Sequence, residues 1–180
     1  MKVIMLEGLD TSGKSTLINR LKTEYFKDDF VIHHHFDKPK GFSVDERYGY
    51  YHGQYDLLFS MLTKFDSSNT VFIFDRCHIS EYVYGPLWRH KEPEYLPDLE
   101  RKFLHSIKSD VTLFYLDVSY DKMQERFKNR PDEDCPLELT VATERNLFVK
   151  ALDKSKIKNK FIIDANKSPE QVYFNITENL

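Results

Sequence analysis

Residues 8–15 read Gly-Leu-Asp-Thr-Ser-Gly-Lys-Ser, which is the pattern G-x-x-x-x-G-K-[ST]. A loop of this form cradles phosphate, and each residue type has its reason. Gly8 and Gly13 permit backbone geometry that a side chain would obstruct, so that successive N–H groups turn inward around phosphate oxygens. Lys14 brings a point charge to the outer phosphates, and Ser15 brings a hydroxyl suited to magnesium. Asp10, Thr11, Ser12 and Thr16 complete the loop and its exit and are candidate nucleotide contacts with it. The flanks suit the motif. Lys2-Val3-Ile4-Met5-Leu6 is a β-type run, and Leu17, Ile18 and Leu21 share one side of a helical pattern that starts at Ser15. A strand thus feeds a glycine loop that opens a helix, whose N-terminus itself attracts anions.

The same alternation continues outward. Runs rich in Val, Ile, Phe and Leu recur at 2–7, 29–34, 70–75, 111–117 and 160–164, several of them apolar nearly throughout. Strands buried on both faces of a parallel sheet have this composition. Helical stretches fill the intervals at roughly 14–27, 45–66, 78–90, 98–108, 119–129 and 136–153, with 168–180 closing the chain. The reading is a three-layer α/β fold, with a parallel five-stranded sheet flanked by helices. Ser119 is a candidate N-cap, and Ser168-Pro169-Glu170-Gln171 offers an N-cap, a proline at N1 and a capping-box glutamine. Ligands of such sheets lie beyond the carboxyl ends of the strands. That rule gathers Gly8–Ser15, His35–Gly41, Asp75–Arg76, Asp117–Tyr120 and Ala165–Lys167 around one crevice.

The chain has 180 residues, a size that fits one domain with a sizeable core. A net charge of −3 argues against a broad nucleic-acid binder. Cys77 and Cys135 form neither a metal-type pair nor a disulfide framework, which favours a reducing compartment. No apolar run approaches a membrane span, and the N-terminus enters a strand directly, so the expected location is the cytoplasm. The 14 Phe and 11 Tyr point to an aromatic core, with room for a stacking site. His33-His34-His35 reads as a strand end, because adjacent strand residues point to opposite faces and no further ligand stands at zinc-like spacing.

Val71-Phe72-Ile73-Phe74 ends in Asp75-Arg76. An acid at a strand end beside a phosphate loop can hold magnesium, and an arginine next to it can grip a second phosphate bidentately. With these residues in view, the chain resembles the thymidylate kinase family of P-loop kinases. Glu7-Gly8-Leu9-Asp10 with Gly13-Lys14-Ser15-Thr16 resembles the family's opening, E-G-[LV]-[DE]-x-x-G-K-[ST]-T. Asp75-Arg76 resembles its D-R-[YF], Leu113–Val118 its Y-L-D-V, and Ile162-Ile163-Asp164-Ala165 its final strand end, where the adenine-side loop begins. The segment Asp75–Tyr82 also partly resembles the E-R-S-x-x-S-D-R-Y of deoxynucleoside kinases.

The resemblance implies one P-loop kinase domain over 1–180, with a short lid near 126–137. It implies ATP and Mg2+ as cofactors and transfer of the γ-phosphoryl to a deoxynucleoside monophosphate. That chemistry demands positioning and charge neutralisation above all. Position by position, it assigns Lys14, Ser15 and the glycine-loop backbone to ATP and magnesium, with Asp75 as a second metal ligand. Ala165 and Asn166 fall to the adenine side. Asp10 lies near the acceptor sugar, and Arg76 binds the acceptor phosphate. Thr11 stands where some members carry an arginine, and members without one supply arginine from the lid. Arg126 and Arg130, four apart on one helical face, are the candidates here, with Arg145 behind them.

On the acceptor side, Lys38 and Lys40 stand where the family carries an arginine-bearing loop. Asp37 is the pivot between two readings, since a nucleoside kinase needs a carboxylate base and a monophosphate kinase does not. Tyr51 falls in the base-stacking position of the 45–66 helix, with Gln54 and Tyr55 one turn on and Glu81 across from them. The expected acceptor is dTMP or a relative. The alternatives are a deoxynucleoside kinase acting on a 5′-hydroxyl, a kinase acting on a modified base within DNA, and a P-loop binding module without turnover. No membrane partner and no stable nucleic-acid binding are expected, and the resemblance extends the family's homodimer to this chain.

Overall fold

The computed structural model describes residues 1–35, 41–129 and 135–180. Five strands form one sheet: β1 (Lys2–Gly8), β2 (Val31–His35), β3 (Val71–Asp75), β4 (Val111–Asp117) and β5 (Asn159–Asp164). The order is β2-β3-β1-β4-β5, and every pair is parallel. The chain therefore starts in the middle of the sheet and builds outward on both sides. Val3, Ile4, Met5 and Leu6 are all buried, because β1 has neighbours on both edges and helices over both faces. β5 lies at an edge, where Ile162 is exposed.

Among the described residues, seven helices flank the sheet: α1 (Lys14–Arg20), α2 (Val44–Phe65), α3 (Ile79–Arg89), α4 (Leu96–Ser106), α5 (Tyr120–Phe127), α6 (Glu138–Lys154) and α7 (Pro169–Thr177). α1 passes at Leu21–Tyr25 into a wider π-type turn, closed by Phe26 N–H donating to the Leu21 carbonyl at 2.8 Å. The expected caps are present. Ser119 accepts from Lys122 N–H, and Ser168 and Gln171 form a capping box. A second box, Ser43 with Glu46, starts α2. The aromatic richness goes largely into the core. Phe72, Phe74, Phe114, Tyr115 and Phe148 are fully buried, and Phe59 stacks on Phe103 with ring centres 4.3 Å apart. Among the described residues no helix is long and apolar enough to cross a membrane.

Register fixes where the chemistry collects. Leu6 pairs with Asp75, Gly8 with Leu116, and Asp117 with Asp164, so the glycine loop leaves β1 with the ends of β3 and β4 on either side.

Candidate active site

The loop from Gly8 to Ser15 is built on three positive-φ residues, Gly8 (φ 149°), Thr11 (φ 58°) and Gly13 (φ 99°). At Gly8 the requirement is also spatial, because a Cβ there would lie 2.8 Å from both the Leu116 carbonyl and Ser12 Oγ. We expect Gly8→Ala to cost about 1–3 kcal/mol through overpacking and strain, a fall of several degrees in Tm, with at least about tenfold weaker binding of inorganic tripolyphosphate. Thermal unfolding and tripolyphosphate titration check both.

Beyond the loop opens a cavity of about 480 Å³. It is lined by the loop from Asp10 onward and by His35, Asp75, Arg76 and Arg126, and it runs on past Asn129 toward Lys167 and Pro169. Lys14 is buried at its floor. Its Nζ donates to the carbonyls of Leu9 (2.9 Å) and Gly8 (3.1 Å) and to Ser12 Oγ (3.4 Å). Burial, and then the charge of Arg76, lower the Lys14 ammonium to about 7. An anion placed in the cavity is the natural compensation for both.

Ser15 Oγ lies 3.5 Å from Asp75 Oδ2, while Asp75 Oδ1 is buried without a hydrogen-bond partner among the described residues. A hydroxyl beside a carboxylate with an unspent buried oxygen fits magnesium, which takes few protein ligands and completes its shell from water and phosphate. No group of three or more His, Cys, Asp or Glu residues suited to a metal occurs among the described residues, in keeping with that habit. His35 joins the site from the end of β2, its Nδ1 3.2 Å from the Asp75 carbonyl oxygen. His33 and His34 belong to the same strand, and burial lowers the His33 imidazole.

Arg76 stands at φ 67°, a left-handed conformation that turns the chain sharply off β3. Its guanidinium donates to Asp10 Oδ1 at 2.8 Å and to the Tyr84 hydroxyl at 2.9 Å, and it lies over the Tyr84 ring. Burial opposes its charge, but Tyr84, Asp10 and Glu7 outweigh that and keep it ionised. Behind it, the fully buried Glu7 accepts from Cys77 N–H (2.7 Å), Ser80 N–H (3.3 Å) and Ser80 Oγ (2.6 Å). Burial raises the Glu7 carboxyl above its ordinary range. Glu7 thus ties the start of α3, and with it Arg76, to the strand that carries the glycine loop.

On the other flank, Arg126 donates from one nitrogen to the Thr11 carbonyl and from another to the Ala165 carbonyl, both at 2.7 Å. Asn166 accepts from Ser119 and donates to Asp164.

No protein-family profile matches the chain. The thymidylate kinase of Mesoplasma florum is 26% identical over 192 residues, covering 94% of this chain and 90% of that protein. Among solved structures, the YorR protein of Bacillus subtilis in complex with phosphorylated GDP aligns with a TM-score of 0.68 at 18% identity, over 98% of this chain and 94% of that one. The thymidylate kinase of Candida albicans aligns with a TM-score of 0.68 at 21% identity, over 98% of this chain and 89% of that one. Polyphosphate kinase 2 from Arthrobacter aurescens TC1 gives 0.65 at 15% identity, over 99% and 65%. The three structures establish the fold, and the M. florum relative extends the likeness through the sequence.

The chain is similar to the thymidylate kinases in sequence and in fold.

A nucleotide kinase needs a donor and an acceptor end, and the cavity can be compared with that need residue by residue. Lys14, Ser15, Asp75, Arg76 and Arg126 line one space, together with Asp10, Thr11, Ser12, Gly13 and Thr16. Asp117–Tyr120, expected around the crevice, lies off the lining. Asp117 is engaged bidentately by Arg145 (2.8 and 2.7 Å), which also spends that arginine. Tyr51, Gln54, Tyr55 and Glu81 lie off the lining as well. Tyr51 is buried beneath the Arg89 guanidinium, Tyr55 donates to the Cys77 carbonyl, and Glu81 pairs with Arg89 at 2.6 Å. Burial, only partly offset by Arg89, raises Glu81 to about 7. Asp37, Lys38, Lys40, Arg130 and the lid segment 131–134 fall outside the described residues.

Lys167 lines the cavity as expected, whereas sequence reading passed over Glu7 as an anchor, and Arg20, Pro169 and Val172 as lining. Glu7 had a visible signal, an acid inside an otherwise apolar strand. The others had none, since they become neighbours only when α7 packs on α1.

Proposed function

We propose that this kinase transfers the γ-phosphoryl of ATP to the 5′-phosphate of a deoxynucleoside monophosphate, with dTMP as the acceptor. The observation that carries the reading is Arg76: a fixed, ionised guanidinium opens onto the same cavity as the glycine loop, so a second anion site stands beside the first. A switch or binding module has no use for it. The thymidylate kinase relative supports thymidylate as the acceptor.

In this reading, the loop amides hold the donor phosphates, and Lys14 exchanges carbonyl contacts for a phosphate oxygen. Ser15 and Asp75 hold magnesium, which when bound neutralises charge on the phosphates. Arg76 takes the acceptor phosphate, and Asp10, released from it, faces the acceptor sugar. The groups act by alignment and charge rather than by covalent help. Arg126 stays with its two carbonyls on the donor side. A role in neutralising the transferred group would require it to abandon both. The nucleoside reading needs a carboxylate base, and Asp75, placed against Ser15, is better suited to metal.

The test is ADP release with ATP and magnesium against dTMP, dGMP, dCMP, dAMP and the parent nucleosides. We expect dTMP to drive turnover and thymidine to leave the rate at background. Turnover with thymidine and none with any monophosphate overturns the proposal. Arg76→Lys keeps a charge but loses the bidentate fork, and we expect it to lower kcat/KM for the acceptor by about 10²-fold. Steady-state kinetics at varied acceptor concentration measures it.

A further inference from the structure

Arg76 holds a backbone conformation that a side chain disfavours, at φ 67°. Such a residue persists only where its surroundings over-determine it. Here the surroundings come mainly from β1. Arg76 N–H donates to the Leu6 carbonyl at 2.9 Å, and the next N–H, that of Cys77, donates to Glu7 Oε1 at 2.7 Å. The Cys77 carbonyl in turn accepts from the Tyr55 hydroxyl at 3.3 Å. Two successive residues of β1 thus hold two successive amides of the turn that carries the arginine.

α3 then begins without a cap of its own. His78 stands at its N-cap and makes no side-chain bond to the first turn. A capping side chain ordinarily serves the second or third amide of the helix. Ser80 is the second residue of α3, and its N–H donates to Glu7 Oε1 at 3.3 Å, while its Oγ donates to Glu7 Oε2 at 2.6 Å. Glu7 therefore caps the helix from a strand far away in sequence, and a carboxylate suits the positive end of a helix. Glu7 itself is fully buried and lies off the cavity lining. Its neighbour in the chain is Gly8, where the phosphate loop starts. One side chain thus joins the root of that loop to the turn bearing Arg76.

We propose that Glu7 is a positioning residue for the acceptor. Acting through Arg76, it fixes where the acceptor's phosphate lies relative to the loop that holds the donor's. The inference rests on the reading that Arg76 receives the acceptor phosphate, but not on the base that the acceptor carries.

The experiment compares the wild type with Glu7→Gln and Ser80→Ala. Glu7→Gln keeps the size of the side chain, but it makes charge-assisted bonds neutral and puts a donor where both oxygens accept. Ser80→Ala removes one bond and leaves the carboxylate. Three quantities are measured: the KM for dTMP at saturating ATP, the affinity for inorganic tripolyphosphate, and the NMR resonance of Arg76 Nε–Hε, assigned by its loss in Arg76→Lys. KM does not depend on how much of a sample is folded, so a merely structural Glu7 leaves it unmoved. Glu7→Gln is expected to raise KM about tenfold and Ser80→Ala about threefold. Both are expected to shift or broaden the Arg76 resonance and to leave tripolyphosphate affinity unchanged. Added to Arg76→Lys, Glu7→Gln is expected to raise KM by less than about twofold more, because the two changes act on one contact. An unmoved KM in Glu7→Gln overturns the proposal. So does a rise that repeats in full on top of Arg76→Lys, or a loss of tripolyphosphate as large as the rise in KM, which would put Glu7's effect in the loop. If Glu7→Gln does not fold, Ser80→Ala decides by the same criteria. A wild type that turns over no monophosphate defeats the acceptor assignment instead. The Arg76 resonance then decides, and one that is identical in wild type and variant overturns this proposal as well.

Discussion

Lys14→Ala is expected to lower turnover by about 10³-fold while the protein still folds and still binds nucleotide. The asymmetry follows from where Lys14 lies. Its Nζ sits at the cavity floor against the carbonyls of Gly8 and Leu9, shielded from solvent, where a charge acts on a phosphate far more strongly than in water. Charge that develops during transfer is what such a group stabilises, and loss of one preorganised donor commonly costs 10²–10³ in rate, roughly 2.7–4 kcal/mol. Ground-state binding relies on the amide cradle, which the substitution leaves in place. The discriminating measurement is ADP release at saturating ATP and acceptor, paired with equilibrium titration of ATP. A variant that retains more than a tenth of wild-type turnover would show that the loop lysine does not act on the transferred group.

Glu100→Ala is expected to destabilise the protein by about 3–5 kcal/mol, a fall of about 10 °C in Tm, with the chemistry untouched in what remains folded. Glu100 is buried between α3, α4 and the end of α6. It pairs with His78 Nε2 at 2.7 Å and accepts from Ser155 Oγ (2.7 Å) and Lys156 N–H (2.7 Å). Burial opposes charge on His78, but Cys77 and the Glu100 carboxylate outweigh it and push the ring up to about 10. Burial also opposes charge on Glu100, and His78 outweighs it, holding the carboxyl below its usual range. Removing one partner strands the other charge in the interior. The sign with pH follows. A histidine raised on folding gives stability that is whole below its unfolded value near 6.5 and fades as pH climbs toward 10. A carboxylate lowered on folding gives stability present above about 4.5 and lost as pH falls further. The Tm gap between wild type and Glu100→Gln should therefore be widest between about pH 4.5 and 6.5 and shrink on both sides. A gap that is flat from pH 5 to 9 would mean that the pair is not ionised.

The sheet was readable because its three inner strands, β1, β3 and β4, are short, nearly unbroken apolar runs, as burial on both faces requires. All five strands and seven helices stand where those runs and the intervening periodicity put them, within a few residues. α2 begins a residue earlier than expected, and its signal was in plain sight as Ser43 and Glu46, three apart. The glycine loop was legible for a different reason, since its chemistry resides in backbone freedom at fixed spacing. What escaped is long-range. Arg126 meets Thr11 across 115 positions, and Glu100 meets His78 across 22. No local pattern says which carbonyl or carboxylate an arginine or histidine will find. Tyr51 shows the same limit, because counting along a helix put it in a stacking position and packing put it beneath Arg89.

On the proposed function, the ion pair between Arg76 and Asp10 is a way to sort what arrives. An incoming group must displace a carboxylate already in place, so entry is a swap of anions. A dianionic phosphate can win that swap, and an uncharged hydroxyl brings nothing to trade. Under the proposed function, rejection of unphosphorylated sugars begins at the threshold, before any chemistry, and added salt is expected to blunt it by screening both contestants.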